Sequence, residues 1–288
     1  MPELPEVETV RRGLEQQADG FVVDEVCVLR SRAVAAPKGD PDGFAAGLAG
    51  CCISAWRRRG KYLIASLSRG SEPAGELGAH LRMTGQFQWF KQAEKPACAH
   101  TRVQFFGRHG PQAEARELRF VDLRAFGELW FVPIGCATEQ IITGLQRLGP
   151  EPFSTAFNAN YLRQRLKGSS RPIKNALLDQ SLVAGVGNIY ADESLFLSGI
   201  QPHNASGKLS LLQLEKLHSC LVEVLQASIG AGGTTFSDFR DLKGNNGNYG
   251  GVAWVYRRGG EPCRKCGSIL RREKLGGRSS HWCPTCQC

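Results

Sequence analysis

Two CxxC pairs, CRKC at 263–266 and CPTC at 283–286, stand sixteen residues apart near the end of the 288-residue chain. Each pair offers two thiolates, and together they complete the tetrahedral set of one zinc ion. Four thiolates leave no open coordination position, so such an ion is structural. The residues between the pairs include EKLGGRSSHW, which predicts a β-hairpin turning at Gly276-Gly277. A hairpin of this size cannot bury enough apolar surface to hold itself together, and metal ligation takes over that task. A redox or disulfide role is the alternative. The chain has eleven cysteines, an odd number. Cys27, Cys51, Cys52, Cys98, Cys136 and Cys220 lie in apolar surroundings and are expected as small core residues. Cys288 has no assigned role.

Lysine and arginine exceed aspartate and glutamate by 36 − 27 = +9. The excess gathers around the cysteine pairs. From Arg257 onward, eight basic residues face only Glu261 and Glu273, a local +6. A polyanion is therefore the expected partner, and no basic amphipathic helix accompanies the run to favour a membrane over nucleic acid. A merely solvated basic tail is the plain alternative. With 42% hydrophobic residues the chain can bury a sizeable core, and no apolar run approaches the roughly 18–20 residues that span a bilayer. The first residues, PELPEVET, have neither the basic nor the apolar region of a signal peptide. A soluble, cytoplasmic protein is the expectation.

The periodicity divides the chain. Val7, Val10 and Leu14 repeat at helical spacing, with Pro5 suited to a first turn. Residues 21–132 then read as short β-strands, among them FVVDEVCVL, KYLIASL, TRVQFF, ELRFVDL and GELWFV, in the manner of a sandwich or barrel. GRHG at 107–110 is the expected turn between TRVQFF and ELRFVDL. The prolines and glycine of LGPEPF (148–153) suggest a linker, and beyond it the pattern becomes helical. Two helices joined by QPHNASGKL are expected, the first ending at Gly199 and the second burying Leu214, Leu217, Leu221, Val224 and Leu225. Within VGNIYADESLF (186–196), the glycine-flanked Asn188 starts a helix whose N–H groups suit a phosphate, although an ordinary N-cap reads the same way.

PELPEVETVRRGL (2–14), RRGKYL (58–63), HLRMTGQF (80–87), DLRAFG (122–127), LGPEP (148–152), AGVGNIYADESLF (184–196), GGTTFSDF (232–239) and the CxxC pairs occur in that order. Together they resemble the bacterial formamidopyrimidine-DNA glycosylase family, which repairs oxidised purines, and the resemblance covers essentially the whole chain. It implies an α+β multidomain protein. A catalytic β-sandwich domain with an N-terminal helix would span 1–135 and a linker 136–153. A helical helix-two-turn-helix domain would follow over 154–259, with a lesion-capping loop at about 234–253. The zinc-bound β-hairpin, held by Cys263, Cys266, Cys283 and Cys286, would occupy 260–288.

The resemblance also implies the chemistry. Removal of Met1 would free the Pro2 nitrogen as nucleophile. A terminal amine has a pKa of about 7.7–8.0, against about 10.4 for lysine, so an appreciable fraction is uncharged at neutral pH. Glu3 matches the acid/base that serves the sugar ring oxygen, and Glu6 would position the amine or a water. Lys61 and Arg278 match phosphate-binding catalytic positions, and His100, Lys174 and Asn188 match further DNA contacts. Met83, Arg124 and Phe126 match the trio that fills the gap left by an extruded base, with Arg124 reading the orphaned cytosine. On residue type alone, Glu3 and Glu6 are ordinary first-turn carboxylates and Met83 and Phe126 ordinary core residues. Ala125 departs from the family pattern, where many members carry a second basic residue.

The partner implied is damaged double-stranded DNA, bound by a monomer with one structural zinc ion and no organic cofactor. The activity implied is a DNA glycosylase with AP lyase activity. Two other readings compete: an endonuclease VIII-like glycosylase for oxidised pyrimidines, and a non-enzymatic zinc DNA-binding protein. The Gly-rich GGTTFSDFRDLKGNNGNYGGVAWVY favours the purine enzyme by its likeness to the capping loop. The PELPE start disfavours a non-enzyme.

Overall fold

The computed structural model describes residues 2–234, 242 and 247–288. The chain forms two compact units, Met1–Gln146 with Gly232–Gly247, and Arg147–Ala231 with Asn248–Cys288. Most of the expected lesion-capping loop, residues 235–241 and 243–246, lies outside the described residues.

The first unit begins with helix α1 (Leu4–Ala18). Pro5 is set in its first turn, and Glu6 reaches back to accept the Glu3 N–H at 2.8 Å, answering a backbone donor that a helix start leaves open. Leu4, Val7, Val10, Leu14 and Ala18 form its buried stripe. Leu14 has no exposed surface, so truncating it to alanine would cost about 2–5 kcal/mol.

Nine strands follow: β1 (Phe21–Val28), β2 (Val34–Ala36), β3 (Cys52–Arg59), β4 (Tyr62–Arg69), β5 (Glu72–His80), β6 (Gly85–Lys91), β7 (Thr101–His109), β8 (Glu114–Asp122) and β9 (Glu128–Pro133). They make one hydrogen-bonded ladder in the order β2-β9-β5-β4-β3-β1-β7-β8-β6. Every pairing is antiparallel except β2 with β9. The ladder nevertheless folds into two layers. Trp56 of β3 and Phe87 of β6 are four strand steps apart, about 19 Å in a flat sheet, yet their rings stand 6.0 Å apart. The sheet therefore doubles over a shared core that includes Leu63, Leu77, Phe105, Leu118 and Phe120, with α1 packed into the same core through Val7, Val10 and Leu14. Helix α2 (Pro41–Leu48), capped by Asp40, adds Phe44 and Leu48, and the short α3 (Thr138–Ile141) follows β9.

The second unit contains α4 (Ala159–Leu166), α5 (Ile173–Leu177), α6 (Asn188–Ser198) and α7 (Leu211–Gly230). Helix α6 ends where Gly199 takes φ 75°, a left-handed value that glycine adopts without strain. Helix α7 starts with a Ser210–Gln213 capping box and buries Leu214, Leu217, Leu221, Val224 and Leu225. The two helices pack together across the turns between them, giving the expected helix pair. Strands β10 (Arg271–Leu275) and β11 (Arg278–Trp282) form the hairpin, turning through Gly276 (φ 55°) and Gly277 (φ 81°). A Cβ at Gly276 would also stand 1.8 Å from the side-chain nitrogen of Asn175, so any other residue there would both strain the left-handed backbone and push that side chain aside.

Two local expectations need correction. Of the six cysteines assigned to the core, only Cys51 is buried; Cys98 and Cys136, in loops, are exposed, and Cys27 and Cys52 on strands and Cys220 on helix α7 are half-buried, off the core-facing positions of their elements. The β7–β8 turn is Gly110–Ala113 rather than 107–110, since the pairing continues to His109 opposite Glu114. No helix among the described residues is long and apolar enough to cross a membrane.

Candidate functional site

The first turn of α1 is unusual for its buried charge. Glu3 and Glu6 are 3% and 1% exposed, and Pro2 beside them is buried. Ordinary first-turn carboxylates sit in water, because burying one is costly unless donors surround it. Glu6 satisfies that condition with one oxygen on Glu3 N and the other accepting Thr234 N, both at 2.8 Å. Glu6 thus holds the backbone of its own helix start and that of a distant segment.

One turn further on, Glu8 accepts from Arg11, Arg12 and Arg58. Burial opposes the charge on Glu8, but the three guanidinium groups prevail and hold its carboxyl below the ordinary range. Arg58 also donates to the Gly60 carbonyl at 3.0 Å. This links α1 to the β3–β4 turn that carries Lys61, which is itself only 8% exposed rather than free at a strand end.

Met83, Arg124 and Phe126 occupy two turns that leave the sheet at the same rung, where Gly85 of β6 pairs with Asp122 of β8. Asp122 has no exposed surface. Its carboxylate accepts Thr84 Oγ1 (2.5 Å), Arg124 N (3.2 Å) and Gly127 N (2.6 Å), while Thr84 Oγ1 accepts Arg124 N at 2.9 Å. The Met83 turn is held on its other side by His80, whose Nδ1 accepts Arg82 N at 3.0 Å, and by an Arg82–Glu128 ion pair. Burial, then the charges of Arg82 and Lys61, push the His80 pKa down to about 3, so the ring stays a neutral acceptor. Phe126 remains 43% exposed with the Arg124 guanidinium 5.2 Å above its ring. Neither it nor Met83 belongs to the core cluster. His100 is exposed, and its carbonyl accepts Asp122 N. Sequence reading missed Thr84, His80 and Asp122; only the polar residues flanking each motif hinted at them.

In the second unit, Asn188 opens α6 and donates to Ser279 Oγ at 3.4 Å. Arg278 is exposed at the start of β11. Lys174, which the resemblance matched to a DNA contact, is enclosed. It is wholly buried, with Nζ 2.6 Å from Asp192 Oδ1 and 2.5 Å from the Ser279 carbonyl. In this conformation it pairs with Asp192 and braces the hairpin through Ser279. Asp192 further accepts His281 N and Nδ1 at 2.9 and 3.0 Å. The adjacent Glu193, also buried, accepts Trp254 N, Val255 N and Tyr256 N. Both carboxylates escaped the sequence reading.

The four sulfurs of Cys263, Cys266, Cys283 and Cys286 lie within 4.8 Å of one another. A zinc tetrahedron with Zn–S near 2.3 Å has S···S edges of about 3.8 Å. Cys263–Cys286 at 4.0 Å and Cys266–Cys283 at 3.5 Å match that size and are far too long for disulfides. These residues hold one structural zinc ion.

Three family models match the chain in succession. They are the formamidopyrimidine-DNA glycosylase N-terminal domain over residues 1–129, the H2TH domain of the same enzymes over 148–240, and the zinc finger found in FPG and IleRS over 260–287. A formamidopyrimidine-DNA glycosylase of Parasynechococcus marenigrum is 63% identical over 288 residues, covering all of both chains. One from Nostoc sp. is 53% identical over 289 residues, again covering all of both. Among solved structures, the Lactococcus lactis enzyme in complex with DNA containing an abasic site superposes with a TM-score of 0.86 at 33% identity, covering 99% of each chain. Its complex with a FAPY-dG-containing DNA gives 0.84 at 34%, with the same coverage. Matches of this extent, in the order in which the fold builds its elements, assign the chain to the formamidopyrimidine-DNA glycosylase family.

Proposed function

We infer that the protein is a base-excision-repair enzyme that removes oxidised purines, 8-oxoguanine and formamidopyrimidines among them, from duplex DNA and then cleaves the strand as an AP lyase. It acts as a monomer, and a cytoplasmic, nucleoid-associated location follows from that substrate. In this reading residues 1–135 carry the chemistry and 136–153 link them to the rest. Residues 154–259, with a capping loop at about 234–253, and the zinc hairpin at 260–288 grip the DNA.

The observation that carries the catalytic assignment is the burial of Glu3 and Glu6 beside Pro2 at a helix start. Pro2, freed of Met1, attacks the sugar C1′ with its nitrogen lone pair. The bond from C1′ to the base breaks, and the base departs with that electron pair and a proton. The proline nitrogen, having given up its proton, then pushes its lone pair onto C1′ while the C1′–O4′ bond of the sugar ring breaks and Glu3 protonates O4′. Because proline is a secondary amine, the resulting iminium has no N–H to lose and keeps its positive charge as an electron sink. Loss of a C2′ proton then expels the 3′ phosphate, and a second elimination expels the 5′ phosphate. Glu3 handles protons at the ring oxygen, and Glu6, committed to two backbone N–H groups, positions the Pro2–Glu3 peptide.

Lys61 takes the lesion's phosphate and Arg278 a backbone phosphate, with Asn188 and His100 as further backbone contacts and Lys174 acting through Ser279. Met83, Arg124 and Phe126 fill the vacated stack. The exposure of Phe126, unusual for a phenylalanine beside a sheet, supports that role.

Borohydride trapping tests the assignment. The mature protein should form a covalent adduct with a duplex carrying 8-oxoguanine opposite cytosine, and Pro2→Gly should not. An adduct that survives Pro2→Gly would refute the nucleophile. The Lactococcus lactis relative has also been solved with an oxidised-pyrimidine-containing DNA, so a thymine glycol duplex belongs in the same assay. Trapping on that duplex alone would favour the pyrimidine specificity.

A further inference from the structure

Base extrusion demands tight geometry. Neighbouring bases stack about 3.4 Å apart, so side chains that replace a base must keep their mutual spacing to well under that. A displacement of about 1 Å can cost on the order of a hundredfold in rate. Met83 and the Arg124–Phe126 pair lie some forty residues apart in sequence, on separate turns. Something must hold these turns together once DNA pushes against them.

We propose that Thr84 and Asp122 are the positioning residues for extrusion, a hydroxyl–carboxylate clasp that makes the two void-filling turns move as one body. The inference rests on the reading of Met83, Arg124 and Phe126 given above. Thr84 follows Met83 directly, and its hydroxyl is the sole side-chain donor to the Asp122 carboxylate among the bonds described. Arg124 N is shared between Thr84 Oγ1 at 2.9 Å and Asp122 Oδ1 at 3.2 Å. The residue that would read the orphaned base is therefore anchored by its backbone to the residue beside the methionine wedge. The second oxygen, Oδ2, takes Gly127 N at 2.6 Å and closes the far end of the Arg124–Phe126 turn. Arg102 fixes the same corner from behind by donating Nε to the Asp122 carbonyl at 2.7 Å.

Strain marks both turns, since Arg82 (φ 51°) and Ala125 (φ 55°) hold left-handed backbone without being glycine. Such conformations persist only where surrounding bonds impose them, each costing about 1–3 kcal/mol. Thr84 is 7% exposed and Asp122 not at all, so water does not supply substitute bonds. An ordinary loop cap would bind donors of one turn only; this carboxylate binds donors of two.

The test uses the full chain, Thr84→Val, which removes the hydroxyl at constant shape, and Thr84→Ser, which keeps it. Stopped-flow fluorescence of 2-aminopurine placed beside 8-oxoguanine reports extrusion, and borohydride trapping on a duplex with a preformed abasic site reports the amine chemistry. Thr84→Val should slow the extrusion phase about 10- to 100-fold while the trapped fraction at saturation stays near wild type, and Thr84→Ser should recover to within about threefold. Wild-type extrusion in folded Thr84→Val would overturn the clasp. Should the valine variant not fold, Thr84→Ala, which also removes the hydroxyl, takes its place with the same expectations. Met83→Ala and Arg124→Ala run alongside. If they too extrude normally, the void-filling assignment fails; if they are slow and the Thr84 variants are not, only the clasp fails.

Discussion

Lys174 and Asp192 form an ion pair at 2.6 Å with both side chains wholly out of solvent. A pair in such surroundings is costly to break from one side, because the partner is left charged in a poor solvent, while removing both ends is far cheaper. Lys174→Met should therefore destabilise the second unit by about 3–5 kcal/mol. Adding Asp192→Leu should cost much less than the sum of the two single changes, although His281 then loses its acceptor. Urea denaturation of the singles and the double would measure the coupling; simple additivity would refute it.

His80 predicts a pH dependence. Its folded pKa is pushed down to about 3, against an ordinary 6.5. Below about pH 6.5 the unfolded imidazole takes up a proton that the folded ring refuses, so the unfolded state binds more protons and stability falls as pH drops. The loss runs at ~1.4 kcal/mol per pH unit and reaches about 2 kcal/mol at pH 5. His80→Gln keeps an acceptor for Arg82 N and does not titrate. Its unfolding free energy should change less between pH 8 and pH 5, by about that amount. Parallel slopes would show that His80 titrates normally.

Glu6→Gln tests the brace beneath Pro2. Both carboxylate oxygens accept backbone N–H groups, and an amide must turn its own NH2 toward one of them. The loss should be about 1–3 kcal/mol of stability. Single-turnover base release should fall at least tenfold, while DNA affinity stays within about threefold because no phosphate contact is touched. Nitrocellulose retention and quenched-flow cleavage would separate the two.

Zinc removal should act on one unit and spare the other. A chelator, or Cys286→Ala, should release the hairpin that carries Arg278 and lower duplex affinity at least tenfold. The thermal transition of the nine-stranded unit should hold, since none of its core residues lies beyond Leu242. Metal content by mass spectrometry, with DNA binding and calorimetry on the same sample, would decide it. Full affinity in a zinc-free protein would contradict the hairpin's role.

The parts that could be read in advance share one property: their determinants are close in the chain. Pro5, Glu3 and Glu6 specify a helix start within five residues, and the CxxC pairs span twenty-four. Gly199 ends α6 by a local conformational need. The partners that escaped notice are distant. Thr84 reaches Asp122 across 38 positions and Glu193 reaches Trp254 across 61. Each alone passes for a routine loop or helix residue. The burial of Lys174 was equally illegible, because nothing near it in sequence signals that its charge will be enclosed. That the strands would double into a sandwich or barrel was legible, but the strand order was not, since alternation within single strands does not say which of nine will face each other.

Asp192 and Glu193 are neighbours on α6, and successive helical residues point about 100° apart. One turn of helix therefore grips the returning strand of the hairpin with one carboxylate and the chain entering the finger with the other. The metal can shape the finger, but its bearing comes from outside its own sequence. Residues 260–288 grafted alone onto another protein would still bind zinc and would point wherever the new host sent them. Transplanting their DNA grip would require α6 as well.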